Sequence, residues 1–479
     1  MFTAQWYAAA ASQFGIAVLA CIVATWCLRI PWRTAIMAAL VFNSIPIMKA
    51  PGFETPFFVH DFLTPVLVVL VLSRLNGIPR GLLGLAVLAV FAWPVMGILH
   101  SIALGVSGYK WVTFLYRRLA SLSFLLAGVC AFSRTNPRDV IDTYAVIWIG
   151  MAMVGMLQYF GLVDVDFMVT GVGASTSILE EAAAQRGFLG LNRGAVGSYG
   201  AVVIAFSVAH LMMSPRLGIG RTILYALGAL ISATVVLFAG SRTGLLACIV
   251  GVLYVGVAAA RSRRHLRGSA LMVLAVLGAA AVVYVLVSKT TVAGERLHVD
   301  AAHESFESRL EVQRQVLAYV LADPAAAAIG MGYDTQQFQR YLNTIWTQAH
   351  SEYLQVLWGS GFVGLALYLL LLQRLFAGMG SAADPASGEI TVAVRGAFIA
   401  GAVAGLAVGN VLVVSERMAT FGMAMLLVYG LMWGYAERRV MWRRVVRRQR
   451  ATRRPLRPML CGVGSDSRYV QSVGWHSDV

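Results

Sequence analysis

The sequence predicts an all-α, polytopic integral membrane bundle of about twelve to thirteen spans, with a large polar loop containing amphipathic helices. Three observations lead there. The 479 residues are 59% hydrophobic and 13% charged, with a mean hydropathy of +0.73, which excludes an ordinary soluble globular protein. The apolar residues are gathered into runs long enough to cross a bilayer. The arginines fall in every second loop between those runs.

In chain order the apolar runs cover residues 8–28, 32–48, 62–75, 81–103, 111–132, 140–162, 194–213, 222–240, 244–260, 269–287, 353–376, 392–414 and 418–436. MFTAQWYAAAASQ at the start lacks the positively charged opening of a cleavable signal, so the first run is read as a retained span. Arg29 and Arg33, Arg74 and Arg80, Arg134 and Arg138, Arg216 and Arg221, and Arg261, Arg263, Arg264 and Arg267 share one side, which the positive-inside rule makes cytoplasmic. The tail WRRVVRRQRATRR from Trp442 falls on that side too, where it would anchor at anionic lipid. The net charge of +16 is therefore assigned to membrane orientation and not to nucleic acid.

The expected organisation is then N-terminal spans over 1–162, a first periplasmic loop over 163–193, central spans over 194–287, a large periplasmic loop over 288–352, C-terminal spans over 353–440 and a basic cytoplasmic tail over 441–479. The two loops are the longest polar stretches, and the second has a helical pattern, a stop at Asp323-Pro324 and a glycine turn. No internal repeat relates the halves, which argues against a transporter built from repeats. Cys21, Cys27, Cys130, Cys248 and Cys461 form neither a disulfide framework nor a metal-ligand spacing.

Chemistry-bearing residues concentrate after residue 240. From Glu304 to Leu321, helical projection puts Phe306, Leu310, Leu317 and Leu321 on one apolar stripe, with Arg309 and Arg314 on either side, about 140° apart. Such a helix on the outer membrane face carries its guanidiniums at headgroup depth, either snorkelling or gripping phosphate oxygens. Arg242, in the short turn Gly240-Ser241-Arg242-Thr243-Gly244, is a topological oddity or a fixed phosphate ligand.

His350 stands at a loop–helix junction before Ser351, Glu352 and the apolar run from Tyr353. In a first helical turn the positive dipole end favours neutral imidazole, which suits a general base; an interfacial histidine is the alternative. Arg186 and Arg193, in RGFLGLNRGAVG, could bind phosphate or glycan, or pair with Glu180 and Glu181. Arg117 and Arg118 lie inside a span, where charge is paired or lines a hydrated cavity; Asp61 and Glu416 are candidate partners. Gly359, Gly361 and Gly364 fall in an apolar run and read as close-packing positions.

The SRTG turn at 241–244, SRLEV at 308–312, Gly330-Met331-Gly332 and AHSEYLQVLWGSGFVG at 349–364 together resemble the O-antigen ligase and Wzy-type polysaccharide polymerase family. Arg186 with Gly197, and Arg314 with Gly330, resemble the paired arginine-to-glycine loop motifs of the polymerases. The resemblance implies transfer of a glycan from a polyprenyl (undecaprenyl) diphosphate carrier to an acceptor sugar hydroxyl at the periplasmic face of the bacterial inner membrane, with inversion and without metal or cofactor. It implies His350 as the base and Arg242 with Arg309 or Arg314 as diphosphate ligands.

Where the family often has Asn after the histidine, this chain has Ser351. The acceptor is a lipid A core sugar for a ligase and a carrier-linked chain for a polymerase; the two arginine-to-glycine motifs lean toward polymerase. A lipid-linked glycan flippase or exporter, or a non-catalytic glycan-assembly protein, would share the spans but would not need His350. Single cysteines placed within 288–352, after replacement of the native ones, are expected to react with an impermeant thiol reagent in intact cells. Labelling only after lysis would invert the topology.

Overall fold

The computed structural model describes residues 59–75, 78, 80–105, 110–131, 136–159, 193–214, 218–239, 241–261, 299–333, 335–342, 349, 351–381, 388–406, 428–431 and 433–434. The expected spans 8–28, 32–48 and 269–287, most of 418–436 and the loop before Arg193 lie outside them. Within the described residues every regular element is a helix, and the protein is an all-α polytopic membrane bundle. We number the helices α1 (Val59–Leu72), α2 (Arg80–Ala103), α3 (Lys110–Ala131), α4 (Pro137–Tyr159), α5 (Arg193–Met213), α6 (Ile219–Phe238), α7 (Arg242–Arg261), α8 (Val299–Ala322), α9 (Pro324–Ile329), α10 (Thr335–Leu342), α11 (Glu352–Ser381) and α12 (Gly388–Ala404). Six of them, α2, α4, α5, α6, α7 and α11, are long and apolar enough to cross a membrane.

Helix α5 is the centre, packed against α6, α7 and α12. Its small residues permit close approach: a Cβ at Gly200 would stand 2.6 Å from Val236, and one at Gly197 would stand 2.2 Å from Ser241 Oγ. Between α7 and α12, Gly251 and Gly396 play the same part against Ala400 and Val255. Residues 193–197, 241–244 and 405 mark one end of the bundle. At the opposite end, Arg138 donates to Glu389 at 3.1 Å, the buried His210 also bonds Glu389, and Arg221 donates to Asp142 at 2.9 Å. These ion pairs tie the starts of α4, α6 and α12 to the end of α5. The implied up–down alternation agrees with the loop-charge pattern.

Two spans depart from simple helices. In α2 the residues Leu88–Ala92 form a π-helical segment just before Pro94, and Trp93 N–H donates to Leu88 O. Proline lacks an N–H and crowds the preceding carbonyl, and the widened turn accommodates it. In α11 the expected continuous run 353–376 is broken at Gly361 (φ 64°, ψ −173°). The Tyr368 hydroxyl donates to Glu352, sixteen residues away. Sixteen residues of straight helix would separate those Cα atoms by about 24 Å, so segment 352–360 turns back along 362–381.

The polar segment α8–α10 is seated on this break. Gly330 and Gly332 both have positive φ (82° and 76°), and Met331 N–H donates to Trp358 O at 2.6 Å. A Cβ on Gly330 would meet Ser360 N at 2.3 Å, and one on Gly361 would meet the Ala328 backbone at 2.5 Å. From α2, His100 Nδ1–H donates to Gly330 O at 2.8 Å and Trp93 Nε1–H to Ser360 O at 3.0 Å. Close packing is thus what Gly359, Gly361 and Gly364 do.

The α8 face differs from the expected stripe. Val312, Val316 and Val320 are buried against Ala326, Met331, Phe338 and Trp358, whereas Leu317 and Leu321 are exposed. β-Branched residues at i, i+4, i+8 form the narrower contact, leaving the leucines on the outer side. Replacing Gly330 or Gly361 with Ala is expected to destabilise the detergent-solubilised protein by about 2–4 kcal/mol, combining positive-φ strain with backbone overlap. Gly81→Ala, with nothing within 4 Å of its Cβ position, is the control expected to melt like wild type.

Candidate functional site

The site is built where α7 begins. Ser241 is buried and caps α7 by accepting from Gly244 N at 3.1 Å, which fixes the turn that carries Arg242 and Thr243. Gly244 in turn lies against Gly197 of α5: a Cβ there would be 2.6 Å from Gly197 Cα. Gly197 therefore serves as the seat for the SRTG turn. Arg193 opens α5 four residues earlier, about 6 Å along the axis, which places its backbone at the same end.

Helix α8 brings Arg309 to this turn. At 100° per residue Arg309 lies about 20° from Val316, on the buried face, while Arg314 lies about 160° from Val316 beside exposed Leu317 and Leu321. The two arginines expected to flank one stripe are thus separated, and only Arg309 faces inward. Its burial, and next the Arg242 guanidinium, pull Arg309 below the ordinary arginine range. Arg309 Nε is buried without a hydrogen-bond partner among the described residues. Two guanidiniums within electrostatic reach of each other, one partly desolvated, make a candidate anion site.

His350 lies outside the described residues. Ala349, Ser351 and Glu352 are all buried. Ala349 N–H donates to Gln355 Oε1 at 2.9 Å, and Glu352 N–H to Gly405 O at 2.8 Å. The orphan amides of this helix start are thus satisfied internally, and the chain enters α11 inside the protein.

Arg118 is 3% exposed and stacks on the Tyr333 ring at 4.4 Å, a contact contributing about 0.5–2 kcal/mol. Tyr333 and Ser360 hydroxyls bond at 2.7 Å, so Arg118 joins α3 to the glycine turn and to the α11 break. The side chains of Arg117, Arg193 and Asp61, and all of Arg186 and Glu416, lie outside what is described. Among the described residues no cluster of His, Cys, Asp or Glu could hold a metal ion.

Sequence reasoning passed over Glu352. An acidic residue in a first helical turn is ordinary N-terminal chemistry, and nothing local in the chain signals that Tyr368 folds back onto it. The available signal was a carboxylate followed at once by an apolar run, which asks for a buried partner.

Compared with known proteins, residues 227–369 match the model of the O-antigen ligase family. That stretch spans most of α6, then α7 to α10 and α11 through Leu369, and includes Arg242, Arg309, Arg314, His350 and Glu352. The SRTG, SRLEV, GMG and AHSEY segments that carry the resemblance all lie within the matched stretch. No curated protein matches the chain.

Removing one of two adjacent like charges relieves repulsion. Ligand-free Arg309→Gln is therefore expected to melt no lower than wild type, whereas added pyrophosphate raises the melting temperature of wild type only. A clear fall in the ligand-free melting temperature would mean that Arg309 is held by a carboxylate instead.

Proposed function

We propose that this protein is a membrane glycosyltransferase of the O-antigen ligase and polysaccharide polymerase type. It moves a glycan from a polyprenyl diphosphate carrier to an acceptor sugar hydroxyl at the periplasmic face of the inner membrane. The observation that carries the reading is the convergence of Arg242 and Arg309 at the start of α7, inside the region that matches the family. Proximity of two guanidiniums supports binding of a diphosphate, the most highly charged part of such a donor.

In this mechanism the acceptor hydroxyl attacks the anomeric carbon from the face opposite the diphosphate, and the configuration inverts. His350 removes the hydroxyl proton as the new glycosidic bond forms. The bond to the carrier diphosphate breaks, and its oxygens take up the electron pair beside Arg242 and Arg309. Fixed cations act most usefully where charge develops. Arg314, on the exposed face of α8, contacts headgroups or the incoming donor, and Arg186 and Arg193 are further candidates for binding phosphate or glycan. No cofactor or metal ion is needed.

Transfer by purified protein in nanodiscs tests the reading, with polyprenyl diphosphate glycan as donor, with and without chelator. Longer carrier-linked chains from donor alone would identify a polymerase; glycosylation of added lipid A core, a ligase. His350→Ala is expected to lower either activity by about 10²–10⁴-fold with insertion unchanged. No transfer by wild type to either acceptor would leave the flippase and assembly-protein readings standing.

A further inference from the structure

Glu352 is the buried carboxylate at the site end that the mechanism above does not use. Its residue is 1% exposed, yet it opens α11, two residues after His350. Its carboxylate accepts from the Tyr368 hydroxyl, and its backbone N–H donates to Gly405 O at 2.8 Å. Glu352 Oε2 also lies 3.4 Å from where a Cβ on Gly405 would stand, so the end of α12 packs against the carboxylate. The Tyr353 hydroxyl, which donates to Ala402 O at 2.8 Å, and the buried Tyr429 both lie within electrostatic reach of the carboxylate. Arg118 and Glu352 both act on the Tyr368 phenol.

A carboxylate withdrawn from water costs several kcal/mol unless it is paired and hydrogen-bonded. Glutamine would accept the same hydrogen bond from Tyr368 without that cost, so the charge itself has a use. The contacts run in a chain across the break. Arg118 stacks on Tyr333, Tyr333 bonds Ser360, Ser360 precedes the break at Gly361, and Tyr368 beyond the break bonds Glu352. They tie the two arms of α11 to each other and to α3, and His350 is two residues before Glu352 in the sequence.

We propose that Glu352 is a positioning residue for glycan transfer, its carboxylate locking the turn that carries His350 through Tyr368 and the Arg118 charge. The inference rests on the transferase reading above. Displacement of a catalytic group by about 1 Å costs on the order of 10²-fold in rate, so a loosened turn lowers kcat and leaves donor binding at the arginines intact.

The test is steady-state transfer in nanodiscs by wild type, Glu352→Gln, Arg118→Met and the double variant, with melting temperature measured on each. Glu352→Gln is expected to lower kcat by about 10- to 100-fold with the donor KM within about twofold of wild type. The double variant is expected to fall no further than the worse single one, because coupled residues act as a unit. A kcat for Glu352→Gln within about twofold of wild type, or losses that multiply in the double variant, would overturn the proposal. Should Glu352→Gln not fold, Tyr368→Phe reports on the same lock: about a three- to tenfold lower kcat at unchanged KM supports it, and wild-type kcat overturns it. Absence of transfer by wild type would instead refute the transferase reading on which the inference stands.

Discussion

The Met331 amide donates to the Trp358 carbonyl, and through this bond a polar segment outside the spans is joined backbone to backbone with a membrane helix. Such a contact needs glycine on both sides. Gly330 and Gly332 supply positive φ on the polar segment and Gly361 supplies it on α11. Breaking α11 frees backbone groups that have no water to turn to in a bilayer. The segment satisfies some of them, and α2 satisfies another through Trp93 and the Ser360 carbonyl. Arg118 under Tyr333, Glu352 against Tyr368 and the inward aim of Arg309 all depend on where this junction holds the two arms.

Charge is distributed unequally between the ends of the bundle. At the end opposite the site, Arg138 and Arg221 are answered by Glu389, Asp139 and Asp142, and His210 by Glu389. At the site end Arg309 lies within the repulsive field of Arg242, with its Nε unsatisfied among the described residues. The first end holds helices together; matched pairs there offset the cost of burying charge. The second end brings two guanidiniums into a partly desolvated place, where their field on an incoming anion is strengthened. Near that end the Glu352 carboxylate, sharing the Tyr368 phenol with Arg118, balances charge a short way from the cationic pair.

The candidate residues differ in how far the chain alone could place them. Arg242 was legible because a five-residue turn between two spans leaves an arginine little freedom, and Ser241 capping Gly244 is what a short turn of that composition does. Arg309 and Arg314 looked alike, since both flank a leucine stripe in projection. The buried face turned out to be Val312, Val316 and Val320, which lies on the Arg309 side. Periodicity reports that a helix is amphipathic; which of two apolar stripes is buried depends on the partner surface, here Trp358, Phe338 and Met331.

What the sequence by itself determined was the membrane class and, among the described residues, the bounds of α1 to α7 to within a few residues. Hydrocarbon allows only helices or closed barrels, and long apolar runs with charged loops state the choice directly. It also determined which segment is unusual, because glycine turns and arginines in an apolar chain are costly unless used. The tertiary structure alone decided that α11 reverses at Gly361, that Arg118 lies against Tyr333, that Arg242 meets Arg309 across 67 positions of chain, and that Glu352 is a buried partner of Tyr368. Each is a meeting of residues far apart in sequence, set by packing against surfaces that local periodicity does not encode.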